Sequence, residues 1–160
     1  MKPVFLFSVL LLLPALALAD AMDALVGDWS SPDGMLKHRI ERAFDGSLLE
    51  TKMWFSIQGE WKLVSQGNGY RRPGEKAWRF VSRTTDMQGI ELFESTIEKT
   101  SDTAYRVVNI AYQDGGPTTE TEEEWSFVDA DRYTYTIYQV ENGERTPWYT
   151  GEWVRAGKDD

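Results

Sequence analysis

Turn signals recur along this chain at nearly even intervals, and that spacing narrows the choice of fold more than any other feature. Pro32-Asp33-Gly34, Asp45-Gly46, Gln58-Gly59, Arg72-Pro73-Gly74, Gln88-Gly89, Ser101-Asp102, Asp114-Gly115-Gly116-Pro117, Asp129-Ala130-Asp131 and Asn142-Gly143 follow one another at separations of roughly 12 to 15 residues. Asp-Gly and Asn-Gly favour the left-handed turns that join antiparallel strands. The segments between them are rich in Val, Ile, Thr, Tyr, Phe and Trp, the residues that suit a pleated, half-buried surface. Several alternate cleanly. Tyr133, Tyr135 and Ile137 share one face, and Thr134, Thr136 and Tyr138 the other. The pattern predicts an all-β fold, a single antiparallel up-and-down β-barrel of about ten strands. An open sheet of that size would expose two unpaired edges, and closure removes them. A two-sheet sandwich would need crossovers longer than these turns allow. Helical spacing is confined to 20–26, where Met22, Leu25 and Val26 predict a short N-terminal helical turn.

Composition closes off several functions. With no cysteine, disulfides, thiolate metal sites and cysteine nucleophiles are excluded. One histidine cannot build a multi-histidine metal centre, so neither a metal nor a cofactor is expected. A formal charge of −9 argues against a nucleic-acid partner, which requires clustered Lys and Arg. Residues 1–19 have the form of a secretory leader: Lys2, then an apolar run from Val4, then Ala17-Leu18-Ala19 as a small-x-small cleavage site. Pro14 interrupts the apolar run, which argues against a membrane anchor. The expected mature domain is therefore 20–160, with no membrane span. Without disulfides or an Asn-x-Ser/Thr sequon, a bacterial periplasm is the expected compartment and a monomer the expected state.

Gly27-Asp28-Trp29 stands just before the first predicted strand, and Arg155 lies in the last, within Trp153-Val154-Arg155. A Gly-x-Trp near the start and a basic residue on the final strand resemble the signature of the calycin superfamily of lipocalins, fatty-acid-binding proteins and related barrels. The strand number is closest to fatty-acid-binding and nitrobindin-like members, and the type to secreted bacterial lipocalin-like domains. The resemblance implies that Gly27, Trp29 and Arg155 form the barrel's closure, with the guanidinium over the indole. It departs in two places. No paired-helix lid fits between Ser31 and Met35, and the only histidine, His38, is not placed like a haem ligand.

Residues that interrupt apolar phases are the candidates for a ligand site. His38 alternates with Leu36, Ile40 and Phe44, and Arg42 shares that phase. Glu94 falls between Leu92 and Thr96, and Arg106 between Ala104 and Val108. An interior arginine could hold a ligand carboxylate; the plainer reading sends these charges outward or into pairs. Trp54, Trp78, Trp125 and Tyr135 are candidate aromatic walls, and core packing is the alternative for each. The run Glu120-Thr121-Glu122-Glu123-Glu124 lacks calcium-loop spacing and reads as a solvated strand end. No nucleophile motif is present, and enzymatic activity is not expected. The sequence thus leads to an expectation of a barrel that binds a small apolar or amphipathic molecule. Two alternatives are an interaction module on a filled barrel and a small-molecule isomerase or cyclase on the same fold.

Overall fold

The computed structural model describes residues 22–85, 90–113 and 116–157; the expected leader over 1–19, the Gln88-Gly89 turn and part of the 114–117 turn lie outside the described residues. Ten strands follow in order: β1 (Gly27–Ser30), β2 (Leu36–Ala43), β3 (Leu48–Ile57), β4 (Glu60–Tyr70), β5 (Trp78–Thr85), β6 (Ile90–Lys99), β7 (Ala104–Gln113), β8 (Gly116–Asp129), β9 (Arg132–Glu141) and β10 (Glu144–Arg155). Each pairs antiparallel with its sequence neighbours, and β1 pairs with β10 to close the barrel. The seam sets Trp29 opposite Arg155 and Ser30 opposite Val154. The turns behave as their residues demand. Gln58-Gly59 and Asn142-Gly143 both adopt left-handed backbone, with φ of 54° and 83° in the first and 52° and 83° in the second. Among the described residues, no helix is long and apolar enough to cross a membrane.

The predicted N-terminal helical turn is a single hydrogen-bonded turn, Leu25 N–H to the Met22 carbonyl at 3.0 Å, and it serves as a plug. Met22 and Leu25 are buried in the end of the barrel where the two chain ends of the sheet meet. Trp29 completes this plug. Its indole Nε1 donates to the Leu25 carbonyl at 2.9 Å, so its one polar atom is satisfied in the core. Its ring stands edge-on to Tyr133 at 4.8 Å and to Phe127 at 6.1 Å. The Arg155 guanidinium lies 4.2 Å from the Trp29 ring centroid. The same group donates to the Val26 carbonyl at 3.0 Å, the Ala24 carbonyl at 3.2 Å and the Ala130 carbonyl at 3.1 Å. One side chain of β10 thus ties the N-terminal segment ahead of β1 to the β8–β9 turn. Gly27, at φ of +138°, is required here twice over: its backbone region suits glycine, and a Cβ would run into the Arg155 guanidinium.

Around this closed end, Leu49, Trp78, Ile97, Tyr105 and Val107 complete a continuous buried cluster. The regular strand of β2 stops at Ala43, so Phe44 leaves the His38 phase. It sits in a left-handed turn at φ of 49° and is 74% exposed.

Candidate functional site

Above the closed end the barrel is not filled. A cavity of about 550 Å³ opens toward the end that carries the β1–β2, β3–β4 and β9–β10 turns. Its floor is the top of the core cluster: Met22, Ile40, Ile97, Val107 and Tyr133. Space persists above them because one side of the barrel carries small residues at its inward positions. Ser65, Ser82, Thr84, Ser95 and Ala111 line the β4–β7 wall, with Phe80 and Phe93 as its larger members.

The opposite wall is aromatic. Trp125 and Tyr135 stand opposite each other on β8 and β9. Tyr135 stacks on Trp153 of β10 at 6.2 Å and 26°, and Trp153 meets the His38 ring of β2 at 5.5 Å. Gly151 pairs with Tyr135 across the strands, and its missing side chain leaves the space that the Tyr135 ring occupies. At the rim, the β9–β10 ladder bulges between Pro147 and Tyr149, which turns Trp148 toward the cavity although it is 65% exposed. Burial, with Tyr149 as the next cause, raises the Tyr135 phenol well above its ordinary value.

Two polar groups interrupt these walls. On β2 and β3, a His38 ring nitrogen, Nε2, lies 2.6 Å from the Thr51 hydroxyl. Burial pulls the His38 pKa down to about 4, so the imidazole is neutral at neutral pH. On β6 to β8, Ser95 Oγ donates to Asn109 Oδ1 at 2.6 Å and Asn109 Nδ2 donates to Glu123 Oε1 at 2.7 Å. The Trp125 indole Nε1 donates to Glu123 Oε2 at 2.6 Å. Glu123 therefore presents both oxygens in a fixed orientation at the cavity wall. Burial raises its pKa, and the bonds from Trp125 and Asn109 offset that only in part.

The candidates from the sequence divide sharply. His38, Trp125 and Tyr135 line the cavity. Trp78 points inward but sits beneath it, buried against Phe80 at 6.4 Å and with the Arg71 guanidinium 5.7 Å from its ring. Trp54 does not line it: after a bulge at Met53/Trp54 it stands in register with Lys37 and Leu63, on the face opposite Met53. Arg42 keeps the inward phase of β2 but belongs to the closed end, where it pairs with Asp23 and donates to the Gly46 carbonyl at 3.0 Å. An interior role for Glu94 and Arg106 is not what the structure has. On β6 the inward phase is Glu91, Phe93, Ser95 and Ile97, which leaves Leu92 and Glu94 outside. On β7 it is Val107, Asn109 and Ala111, and Arg106 faces out to bond Glu122 at 2.6 and 3.2 Å. Neither strand sorts by bulk: Leu92, Val108 and Ile110 share the outer face with Glu94 and Arg106, while Glu91, Ser95 and Asn109 face in.

The acidic run of β8 is also resolved by parity. Glu122 and Glu124 face outward between two arginines: Arg145 lies 3.1 Å from Glu122 and 2.9 Å from Glu124, and Arg106 covers Glu122 from the other side. The Arg106 hydrogen bond lowers the Glu122 pKa, and that of Arg145 lowers Glu124. This pairing, not simple solvation, is why Glu122 is only 6% exposed. Glu123 faces inward with Thr121 and Trp125. Its parity with Trp125 was the available signal, and four carboxylates in five residues obscured it. Among the described residues, no group of acidic or histidine side chains is arranged to hold a metal ion.

No family model matches the chain, and no curated protein matches it by sequence. In structure it is similar to a protein with unknown function from Bacteroides fragilis, with a TM-score of 0.42 and 8% identity. The likeness covers 71% of this chain and 90% of that one.

Proposed function

We propose that this is an exported, calycin-like binding protein whose barrel takes up one small, mainly apolar molecule. The observation that carries the reading is the cavity: about 550 Å³, floored by buried aliphatic and aromatic side chains, with a few hydrogen-bonded polar groups on its walls. That volume and that mixture are typical of small-molecule sites. A barrel serving only as a scaffold for protein contacts has no need to leave this space, because packing it would stabilise the fold. The calycin affinity is supported by the Trp29–Arg155 closure, and export by the leader sequence.

Uptake of the neutral fluorophore N-phenyl-1-naphthylamine tests the reading. Saturable binding at one molecule per chain, with enhanced probe emission and quenching of tryptophan emission, is the expected result. Absence of saturable binding by this probe and by a panel of comparable apolar molecules would leave the scaffold reading ahead.

A further inference from the structure

We infer that the ligand selected by this cavity is an organic cation, an amine carried on an apolar or aromatic body, with the Glu123 carboxylate as its counter-ion. The inference rests on the binding reading above and narrows it to a class of molecule. Its basis is a charge census of the interior. Glu91 and Glu123 both line the cavity, and among the described lining residues there is no Lys or Arg. The arginines that could have served an anionic guest are engaged elsewhere, Arg42 with Asp23 and Arg106 with Glu122. The one histidine on the wall is bonded to Thr51 and held neutral by burial. A carboxylate ligand would enter this space to meet two acids and no cation.

Glu123 is also presented in a way that suits a cation. Its oxygens accept from Asn109 Nδ2 and Trp125 Nε1, and Ser95 fixes the Asn109 amide by donating to its oxygen. These donors are neutral. They orient the carboxyl group without supplying a counter-charge; burial favours its neutral form, and an ammonium that reaches it stabilises the carboxylate and gains a charge-assisted hydrogen bond. The carboxylate is bonded to the edge of Trp125, whose ring lies 5.9 Å from Tyr133. Electron-rich ring faces beside a carboxylate favour a cation over a neutral or anionic head group. The chain's negative charge acts in the same sense at longer range, raising the local concentration of cations near the mouth.

Three ligands that share one naphthyl body separate the possibilities: 2-(1-naphthyl)ethylamine, 2-(1-naphthyl)ethanol and 1-naphthylacetic acid. Titration calorimetry at neutral pH should rank the amine at least about tenfold tighter than the alcohol, with the acid weakest. Glu123→Gln should remove the amine's advantage and leave alcohol affinity within about threefold, since the amide keeps the size of the side chain but loses the charge and one of the two oxygens that accept from Asn109 and Trp125. Acid binding as tight as amine binding, or a Glu123→Gln protein that keeps the preference, would overturn the inference. If Glu123→Gln does not fold, the ranking in the unaltered protein decides. Alcohol binding with no gain for the amine would sink this inference alone. No binding by any of the three would sink it together with the ligand-binding reading.

Discussion

The two ends of the barrel are built from the same kinds of residue and put to opposite uses. At the closed end, Met22, Leu25, Trp29, Tyr105 and Tyr133 are buried to within 2% and every large ring has neighbours on several sides. At the open end Trp148 and Tyr149 are 65% and 51% exposed and Met35 and Ile57 about 40%, around a cavity that the rest of the wall leaves unfilled. The difference lies in the partners across the lumen. The closed end has the N-terminal turn driven into it, with Arg155 fastened over the top. Higher up, the aromatic wall of β8–β10 faces Ser65, Ser82, Thr84, Ser95 and Ala111, which are too small to reach it. Aromatic residues alone therefore do not make a core; a large residue packs only where something large or closely apposed faces it. The buried core belongs to the closed end, and the cavity proposed as the binding site belongs to the open one.

The largest way to break this contrast is to remove the plug. Trp29→Ala should cost about 4 kcal/mol, the usual loss for a large buried ring whose cavity cannot collapse. It also leaves the Arg155 guanidinium without its aromatic face. Urea unfolding of the variant should show a large drop in midpoint with little change in slope, and a drop of less than about 1 kcal/mol would mean the closed end is not where the fold is held.

A smaller effect should appear at the cavity wall and depend on pH. His38 has a folded pKa of about 4 against an ordinary value of 6.5, so the unfolded chain takes up the proton first on acidification. Its contribution is complete above pH 6.5 and is lost as pH falls toward about 4, on the order of 3 kcal/mol in all. Glu123 works in the other direction, because burial raises its pKa: its contribution is present at low pH and declines as pH rises through that raised value. Stability of His38→Gln measured across this range should lack the His38 component, and identical pH profiles for the two proteins would contradict it. The smallest effect is expected at the rim. Trp148→Ala should change stability by no more than about 0.5 kcal/mol, since the side chain is mostly in water. It should weaken N-phenyl-1-naphthylamine binding about threefold through loss of one aromatic contact at the mouth.

The barrel itself was legible from the chain because its signals are local. Asn142-Gly143 and Gln58-Gly59 dictate tight left-handed turns wherever they stand, and Tyr133, Tyr135 and Ile137 keep one phase along a regular strand. The closure was legible for a different reason: Gly27, Trp29 and Arg155 sit at the two places where an up-and-down barrel has to join itself. The site was legible only in part. His38, Trp125 and Tyr135 lie in clear inward phases, whereas Trp54, Glu94 and Arg106 were ambiguous because β3, β6 and β7 carry apolar residues on both faces. Arg42 shows a further limit. Its phase on β2 is inward, but phase does not tell how far along the barrel axis a residue lies, and it lies at the level of Asp23 and Gly46. Glu123 was read with its acidic run as solvated and Asn109 was not singled out, because a wall's polar members are defined by partners on neighbouring strands, here 14 residues apart in sequence.

The division of labour between the ends can be tested at one inward residue. Ala111 lies on β7 among the small residues that keep the cavity open, away from the Trp29 plug. Ala111→Phe places a ring in that space. Equilibrium titration with N-phenyl-1-naphthylamine, run beside urea unfolding of the same samples, gives both readouts. The prediction is that binding falls at least about tenfold while the unfolding free energy stays within about 1 kcal/mol of the unaltered protein, because the new ring fills a void rather than crowding a packed core. Undiminished binding in a protein that still folds would mean the molecule is held outside the barrel, and the open end would not be the site.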